Sequence, residues 1–580
     1  MFLVMMVMAF LVYGNALRGG FVLEDFDFIA NNQYVKSWRY LPQIFTREVG
    51  AGSGTRYTYY RPMHIFSYLI EYTLWGTDVR GYHITNILLH GLISFLFYRL
   101  VFILFANRIL SAAMAALFLV HPIHNAVVAH IAGRENLLGA LFLLVAFIVY
   151  IRISRESHLI LYPVLLVAWA GALLSKENNL MFPALLILYH VVFKQRIRLA
   201  PWIGIITILG FYFGLRTVIG ESVPFKTLDW VSVWARVPGT FVALTQYFQL
   251  LISPTQIHRI YENDVFFVFH PQAVLGFILA AGFLIYAFCK RHSNPSLAFA
   301  VFWFFILYVP VSNLYPLNAY LAEHRMYLAS LGFFLIVAKS LCGLSQKRKM
   351  RPAVSAVFIL LILSHSVFTY IANGYWRSHE VFVENNYRMN PHSALTLNAY
   401  GCLKYRRNEN KQAIAMFVKA IKTRPAYVDA YINLGATLRK VGKHQAAIRI
   451  LRTAIMLDPS KAAAFHNLAT VYTDRQQYRR AEELFLEALA LNPYQIHVYY
   501  NLGRISFLSG EFEKAVGYFE KAIELDPRDS KAWLFLCRIH RWMGRKDLAD
   551  NYCDRYIRLM FPHFSVQDAQ KIKEQLDARP

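Results

Sequence analysis

The chain has 580 residues, of which 57% are hydrophobic, 16% aromatic and 16% charged, and its mean hydropathy is +0.35. This composition excludes an ordinary water-soluble single domain. The 60 Lys and Arg residues exceed the 35 Asp and Glu residues, which gives a net charge of +25. In so apolar a chain, basic loops report orientation in a membrane, and no nucleic-acid partner is expected.

Apolar stretches long enough to cross a bilayer recur up to about residue 373, and they predict about eleven membrane spans. The first stretch lacks a basic n-region and an A-x-A cleavage site, so we expect it to be retained as a span. Segment 229–254 is a further apolar helix, predicted to be re-entrant or to lie along the membrane interface. The predicted spans are 2–17, 83–105, 109–128, 137–152, 159–175, 179–193, 200–218, 273–289, 296–312, 327–344 and 353–373.

The basic residues of the short loops predict the orientation of these spans, because cytoplasmic loops are enriched in Lys and Arg. They alternate along the chain, which places the N-terminus in the cytoplasm. The long segment 18–82 and everything after the last span then lie outside. The basic loop residues are Arg108, Arg152, Arg155, Lys194, Arg196, Arg198, Lys290, Arg291, Lys347, Arg348, Lys349 and Arg351.

The last third of the chain repeats every 34 residues, with copies that start near 394, 428, 462 and 496. Each copy has a small residue at its eighth position, where two helices of a hairpin approach closely, and a proline that ends its second helix. This is the tetratricopeptide-repeat pattern. It predicts a solenoid over 376–580 with a concave groove that holds a polypeptide, or alternatively a solenoid that only stiffens the membrane half. The repeated columns are Gly401, Gly435, Ala469 and Gly503; Ala413, Ala447, Ala481 and Ala515; Ala420, Ala454, Ala488 and Ala522; Pro425, Pro459, Pro493 and Pro527.

The five cysteines lie far apart and form no CxxC pair. Their spacing predicts neither a disulfide framework nor a zinc site.

Acidic residues follow the first predicted span directly, in FVLEDFDFIANN. They are Glu24, Asp25 and Asp27. A carboxylate held at the membrane boundary can accept the proton of an attacking hydroxyl, as general-base catalysis requires. Solvated loop acids or a helix N-cap are the alternative interpretation of this segment.

A second group of ionisable residues falls, by the predicted topology, at the outer ends of the spans, where such groups are costly and therefore functional candidates. Several cations around an outer cavity suit a phosphate. Interfacial ion pairs are the alternative, and two histidines on one helical face are too few to argue for a metal. The group comprises Arg61, His121, His124, Arg134, Glu135, Lys176, Glu177, Glu323, His324 and Arg325.

The chain resembles the transmembrane and tetratricopeptide-repeat-containing O-mannosyltransferases and their prokaryotic relatives, which belong to the GT-C glycosyltransferases. The resemblance rests on the order of FVLEDFDFIANN, YYRPMHIFSYLIEY, GYHITNILLH, FLVHPIHNAVVAHIAGRENLL, LLSKENN and AEHRMYLASLGF, followed directly by the repeats. It implies an all-α protein: a GT-C helix bundle of about eleven spans over 1–375 and an outer tetratricopeptide-repeat domain over 376–580.

The resemblance also implies an inverting transfer of mannose or a similar hexose from a polyprenyl-phosphate donor to a protein hydroxyl outside the cytoplasm, without a metal cofactor. The family's acidic pair falls on Glu24 and Asp25, and we favour Asp25 as the base because relatives often have Asp at both positions. By position, Arg61, Arg134, Lys176 and Arg325 would contact the donor phosphate. His121 and His124 would shape the sugar pocket.

Two other functions fit parts of the same sequence. One is an oligosaccharide ligase that uses a polyprenyl-diphosphate donor; the other is a membrane-anchored scaffold without catalytic activity. No Asn in the chain is followed by x-Ser or x-Thr with x other than Pro, which favours a bacterial or archaeal cytoplasmic membrane over the endoplasmic reticulum.

Overall fold

The computed structural model describes the whole chain except residues 54, 56, 58, 157–159, 220–229, 256, 258–265, 316, 318–319, 562–567, 569–570 and 574–580. Over the described residues every regular element is a helix and no strand is present, so the predicted all-α class is confirmed. The chain divides into two compact units, Met1–Asn390 and Pro391–Pro580. The sequence predicts the boundary at 375/376, whereas the structure divides at 390/391. Helix His379–Met389 lies between these two boundaries.

The first unit contains a helix in every stretch predicted as a span. Two further helices follow the first span in the outer segment, and a last one ends the unit. The α-helices are Phe2–Tyr13, Leu41–Thr46, Pro62–Trp75, Val79–Phe105, Arg108–Val120, Asn125–Val128, Arg134–Arg155, Leu161–Ser175, Phe182–Phe193, Leu199–Val218, Trp230–Ile252, Pro271–Lys290, Pro295–Tyr308, Ser330–Ser345, Arg351–Asn373 and His379–Met389.

Among the described residues, five helical segments are long and apolar enough to cross a membrane by themselves, and a sixth qualifies if a bent pair counts as one span. Other apolar helices, such as Leu161–Ser175 and Ser330–Ser345, have only 10–17 residues, so the predicted number of eleven spans is not confirmed. The helix predicted over 229–254 is present as Trp230–Ile252, with Pro238 inside it. The five segments are Val79–Phe105, Ile131–Arg155, Leu199–Val218, Pro271–Lys290 and Arg351–Trp376.

The outer surface of these helices is apolar, as contact with lipid requires. Large hydrophobic side chains are exposed along Leu199–Val218, Pro271–Lys290 and Arg351–Asn373, among them Phe211, Phe277 and Leu360. A water-soluble protein rarely exposes so continuous an apolar surface. The first unit is therefore a membrane helix bundle.

The stretch predicted as one span over 109–128 is broken. Helix Arg108–Val120 ends before His121, and the next helical segment begins at Pro122 with a bend of 54°. Proline has no N–H for the helix ladder and drives the preceding residue into an extended conformation, and His121 has φ −71° and ψ 130°. The break turns the chain into a loop of short helices over 121–133, around which the candidate site is built.

The second unit is a regular series of helix pairs, as the 34-residue period predicts. A Cβ at Gly401, Gly435 or Gly503 would lie 2.6, 2.5 or 2.9 Å from the side chain of the paired helix, which confirms the predicted close approach at the eighth position. The helices are Ala394–Arg406, Asn410–Thr423, Val428–Lys440, His444–Leu457, Ala462–Asp474, Tyr478–Leu491, Ile496–Leu508, Phe512–Leu525, Ser530–Trp542 and Lys546–Met560.

The last helix pair contains a disulfide that the cysteine spacing did not predict. Cys537 and Cys553 are 16 residues apart in sequence and their Cα atoms lie 5.0 Å apart. The prediction of no disulfide framework is thus corrected to one bridge inside a single hairpin. It was missed because the two cysteines meet only when both helices have folded against each other.

Candidate active site

The acids after the first span occupy two different environments. Asp25 is 1% exposed. The backbone N–H of Val22 donates to its Oδ2 and that of Ala132 to its Oδ1, both at 2.8 Å. The side chain of Glu24 is 35% exposed. Asp25 therefore ties the outer segment to the loop over 121–133, whereas the Glu24 side chain is partly exposed.

His130 lies between the two acids. Its Nε2 is 3.3 Å from Oδ1 of Asp25 and 3.7 Å from Oε2 of Glu24, and it lies 3.2 Å from the carbonyl oxygen of Val22. Three oxygen acceptors around one nitrogen require that Nε2 carries the hydrogen. The imidazole thus presents a donor to the acid pair. On its other side, the ring stacks on Trp376 at a centroid distance of 4.5 Å and an interplanar angle of 14°.

The proton affinity of Asp25 reflects these contacts. Burial raises the pKa of its carboxyl to about 6, while His130 and the two backbone N–H donors lower the pKa. Desolvation disfavours the charged form more strongly than these partners favour it. Asp25 is consequently ionised at neutral pH and becomes protonated in mildly acidic solution.

Asp27 faces a different partner. The hydroxyl of Tyr57 donates to Oδ2 of Asp27 at 2.8 Å. Burial raises the pKa of the Tyr57 hydroxyl, and the charges of Asp27 and Glu24 raise it further. Asp27 therefore lies in the electrostatic neighbourhood of Glu24 and holds the Tyr57 hydroxyl in its protonated form.

A cluster of four charges forms the second part of the site. Arg61 bonds Glu135 and donates from Nε to Oε2 of Glu177 at 2.9 Å. Nζ of Lys176 donates to Oε1 of Glu135 at 2.8 Å and to Oδ1 of Asn136 at 2.6 Å. Two cations and two anions balance each other, so the cluster has no net charge. The guanidinium group of Arg61 also lies over the ring of Tyr59, with its Cζ 4.3 Å from the ring centroid.

The ion pairs of this cluster join residues that lie far apart in the sequence. Arg61 is 74 residues from Glu135 and 116 residues from Glu177. These contacts are possible because helix Pro62–Trp75 packs against helices Arg134–Arg155 and Leu161–Ser175.

Arg134 lies apart from the four-charge cluster in a fully buried position. It bonds Glu71, donates from Nε to Oδ1 of Asn86 at 2.8 Å, and donates from Nη2 to the carbonyl of Tyr82 at 2.7 Å. Its exposed fraction is 0%. These bonds hold helix Val79–Phe105 against the start of helix Arg134–Arg155.

The two histidines of the VHPIH segment are buried at the helix break. His121 bonds the carbonyl of Leu251 through Nε2 at 3.1 Å, and the N–H of Ile123 donates to its Nδ1 at 3.2 Å. His124 packs against Phe118 and Tyr327 at ring distances of 4.3 and 5.0 Å. Both rings are 0% exposed, so they fill the core below the loop.

The segment Glu323–Met326 forms a short 3₁₀ helix near the four-charge cluster. Glu323 is buried, whereas His324 and Arg325 are half-buried. Burial raises the pKa of the Tyr59 hydroxyl; Arg61 and Arg325 lower it, and Glu177 and Glu135 raise it. The charge of Arg325 therefore acts on Tyr59 together with the charges of Arg61, Glu135 and Glu177.

A small cavity connects this segment with the stacked tryptophan. Its wall includes Asn125, Glu323, Trp376, Phe382 and Asn386. Glu323 and Trp376 both line this cavity, and the Trp376 ring also stacks on His130. Within the part of the chain that is described, no group of three His, Cys, Asp or Glu side chains is arranged to hold a metal ion.

Sequence analysis missed His130, Trp376, Glu71 and Tyr59. His130 lies inside the quoted segment FLVHPIHNAVVAHIAGRENLL, and its position beside an alanine-rich break is the signal that could have found it. Trp376 lies at the end of the last span, 246 residues from His130, and nothing local indicates their contact.

Comparison with known proteins defines the class of this protein. The tetratricopeptide-repeat family matches residues 428–461 and 460–528. Over 484 aligned residues the chain is 24% identical to protein O-mannosyl-transferase TMTC3 of Homo sapiens, with 75% of this chain and 52% of that protein covered. Over 451 residues it is 28% identical to protein O-mannosyl-transferase F38B6.6 of Caenorhabditis elegans, with 73% of this chain and 63% of that protein covered.

The chain is therefore a tetratricopeptide-repeat membrane protein similar to the protein O-mannosyl-transferases over about three quarters of its length, which confirms the resemblance. It spans between about half and two thirds of the length of these relatives. Among solved structures, the crystal structure of MamA is 24% identical, with a TM-score of 0.26, 30% of this chain and 96% of that chain covered.

Proposed function

We propose that the protein transfers a single hexose, mannose or a close analogue, from a polyprenyl-phosphate donor to a Ser or Thr hydroxyl of a polypeptide outside the cytoplasm. The observation that carries the proposal is the Glu24 carboxylate after the first span, which is 35% exposed and lies 3.7 Å from Nε2 of His130, the same nitrogen that contacts the buried Asp25. The names of the relatives support the transfer of mannose to protein.

In the proposed reaction Glu24 is the general base. The acceptor hydroxyl gives its proton to the Glu24 carboxylate while its oxygen attacks the anomeric carbon of the sugar. The bond between that carbon and the phosphate oxygen breaks, and the lipid phosphate leaves with the bonding electrons. Attack opposite the leaving group inverts the anomeric configuration.

Burial separates the roles of the two acids. The sequence favours Asp25 as the base, but Asp25 is 1% exposed and both of its oxygens accept backbone hydrogen bonds. An acceptor hydroxyl reaches Glu24 without displacing those bonds. Asp25 is therefore proposed as a positioning residue that holds Glu24 and the loop over 121–133.

The phosphate is proposed to bind at the cationic side of the site. Arg61 and Lys176 are oriented by Glu135 and Glu177, which neutralise them. Arg325, whose charge acts on Tyr59 together with this cluster, is proposed to bind the phosphate with them, because stabilisation of a leaving phosphate requires oriented cations. Arg134 is proposed to have a structural role, because its donors already serve Glu71, Asn86 and Tyr82. The reaction is proposed to need no metal.

The repeats are proposed to lie outside the cytoplasm and to hold the acceptor polypeptide, which raises its effective concentration at the membrane. The Cys537–Cys553 disulfide supports this location, because disulfides persist in oxidising compartments and are rare in the cytosol. The proposed membrane is the bacterial or archaeal cytoplasmic membrane.

The test is transfer of labelled hexose from polyprenyl-phosphate mannose and polyprenyl-phosphate glucose in membranes that contain equal amounts of each variant. Glu24→Gln is expected to lower kcat by a factor on the order of 10² to 10⁴, the usual contribution of a general base. Arg325→Ala is expected to weaken donor binding and to raise KM for the donor. Asp78→Asn changes an exposed helix cap of the same outer segment and is the matched control.

The outcomes separate the proposal from its alternatives. Transfer only from a polyprenyl-diphosphate oligosaccharide would identify a ligase. A wild type that transfers from neither donor class, with the repeats still binding polypeptide, would identify a scaffold. Full activity of Glu24→Gln with loss in Asp25→Asn would return the role of base to Asp25.

A further inference from the structure

A continuous chain of buried polar side chains links the first and last spans to the acid pair. Nδ2 of Asn373 donates to Oδ1 of Asn15 at 2.7 Å and to the carbonyl of Val12 at 2.9 Å. Nδ2 of Asn125 donates to Oδ1 of Asn373 at 2.6 Å. Nε1 of Trp376 donates to Oδ1 of Asn125, also at 2.6 Å.

This chain of side chains continues from Trp376 to the two acids through ring stacking. The indole lies parallel to His130, and Nε2 of His130 contacts both Asp25 and Glu24. Trp376 also packs against Phe382 at a centroid distance of 4.9 Å. The indole thus contacts two rings, and its hydrogen bond to Asn125 restricts its rotation.

Every member of the chain from Asn373 to Asp25 is almost completely buried. Unpaired polar groups at such positions are costly, whereas a fully paired network specifies one arrangement. The first and last spans meet here directly, because Asn15 also donates to the carbonyl of Tyr370 at 2.7 Å. The exposed fractions are 3% for Asn373, 1% for Asn125, 4% for Trp376, 3% for His130 and 1% for Asp25.

We propose that the chain Asn373–Asn125–Trp376 is a positioning device that holds the His130 imidazole against Glu24 and Asp25 and thereby sets the geometry and the charge of the acid pair. This inference rests on the proposed function. Trp376 and His130 do not touch the reacting atoms in this scheme and act through Glu24.

The device has a direct electrostatic consequence. His130 lowers the proton affinity of Asp25, so displacement of the imidazole makes the acid pair easier to protonate. The other ionisable groups near the pair are Tyr68, Arg134 and His83, together with Asp27 and Tyr57 on the outer segment. Nε1 of Trp376 donates to Asn125 and not to any of these groups, so we expect them to remain in place when Trp376 is replaced.

The experiment compares Trp376→Leu, which removes the stacking ring, with Trp376→Phe, which retains a ring but loses the bond to Asn125. Trp303→Phe is the matched control, because Trp303 is also buried and donates from Nε1 to a backbone carbonyl, that of Leu328, at 2.8 Å. Kinetics are measured from pH 5 to pH 8, and modification of His130 by diethyl pyrocarbonate is measured by mass spectrometry in the full-length protein.

For Trp376→Leu we expect kcat to fall by about 10- to 100-fold, as misplacement of a catalytic group does, with KM for the donor little changed. The acidic limb of the plot of kcat against pH moves to higher pH, and His130 becomes reactive toward diethyl pyrocarbonate. Trp376→Phe shows a smaller effect in each measurement, and Trp303→Phe behaves as the wild type.

Unchanged His130 reactivity in Trp376→Leu would overturn the proposal, and so would a loss of kcat with an unshifted pH profile. The His130 measurement does not require activity. If no donor supports transfer by the wild type, the proposed function fails, while a gain of His130 reactivity in Trp376→Leu still supports the positioning device.

Discussion

Asp25 differs from an ordinary surface carboxylate because burial raises its pKa to about 6. Its charged form accepts two backbone hydrogen bonds and attracts His130. Protonation removes part of this attraction and loosens the loop beside Glu24. At the scale of the residue, the activity of the site is therefore tied to the protonation state of one buried acid.

We predict that transfer falls as the pH decreases through about 6. The sign follows from the raised pKa: above it Asp25 is charged and holds the loop, and below it Asp25 takes up a proton. The measurement is kcat/KM against pH for the wild type and for His130→Gln. The variant loses a group that lowers the pKa of Asp25, so its acidic limb lies at higher pH. An identical profile for both proteins would contradict this account.

The loop of short helices over 121–133 depends on one glycine at its end. A Cβ on Gly133 would lie 2.5 Å from the carbonyl oxygen of Val127 and 2.8 Å from the Cα of the same residue. Both atoms belong to the backbone and cannot turn away as a side chain can. Helix Arg134–Arg155 begins at the next residue, so the backbone must pass close to itself just before that helix.

We predict that Gly133→Ala destabilises the protein by about 1 to 3 kcal/mol, the usual cost of overpacking. The measurement is thermal unfolding in detergent. Gly282→Ala is the control, because Gly282 lies in helix Pro271–Lys290 with nothing within 4 Å of its Cβ position; alanine there is neutral or stabilises by up to about 1 kcal/mol. Equal unfolding temperatures for Gly133→Ala and the wild type would contradict the close approach.

The disulfide of the last helix pair leads to a second prediction at the scale of elements. Cys289, Cys342 and Cys402 are free, so the denatured protein should bind three equivalents of a maleimide before reduction and five afterwards. Replacing Cys537 and Cys553 by alanine should destabilise the repeat unit by about 3 kcal/mol, measured by proteolysis of the full chain. Cys402→Ala, which breaks no bridge, is the control. Five reactive thiols without reductant would exclude the bridge.

Sequence periodicity predicts elements well and their contacts poorly. The repeat columns correctly predict where Gly401 and Gly435 allow close helix approach, because the local pattern determines the packing of a hairpin. The break at His121 could have been predicted from Pro122, but the apolar residues on both sides led to the prediction of one continuous span. The pairing of Arg61 with Glu135 and the stacking of His130 on Trp376 depend on how distant helices pack, and no local pattern contains that information.

At the scale of the whole molecule, the proposed function requires that the acids and the repeats lie on the same side of the membrane. An acceptor polypeptide held by the repeats must reach Glu24, and the donor sugar must be exposed on that side. The basic loops predict this arrangement, since they place residues 347–351 in the cytoplasm, from which the last span would cross outward.

We predict that a membrane-impermeant maleimide labels Ser509→Cys in intact cells freed of their outer barriers, and labels Lys347→Cys only after permeabilisation. Both positions are exposed turns, and both variants are made after Cys289, Cys342 and Cys402 have been replaced by serine. Each variant controls for the other, because they differ only in the predicted side of the last span. Labelling of Lys347→Cys in intact cells with protection of Ser509→Cys would place the repeats in the cytoplasm. In that case polypeptide held by the repeats could not reach an outer site, and the proposed delivery of the acceptor would fail.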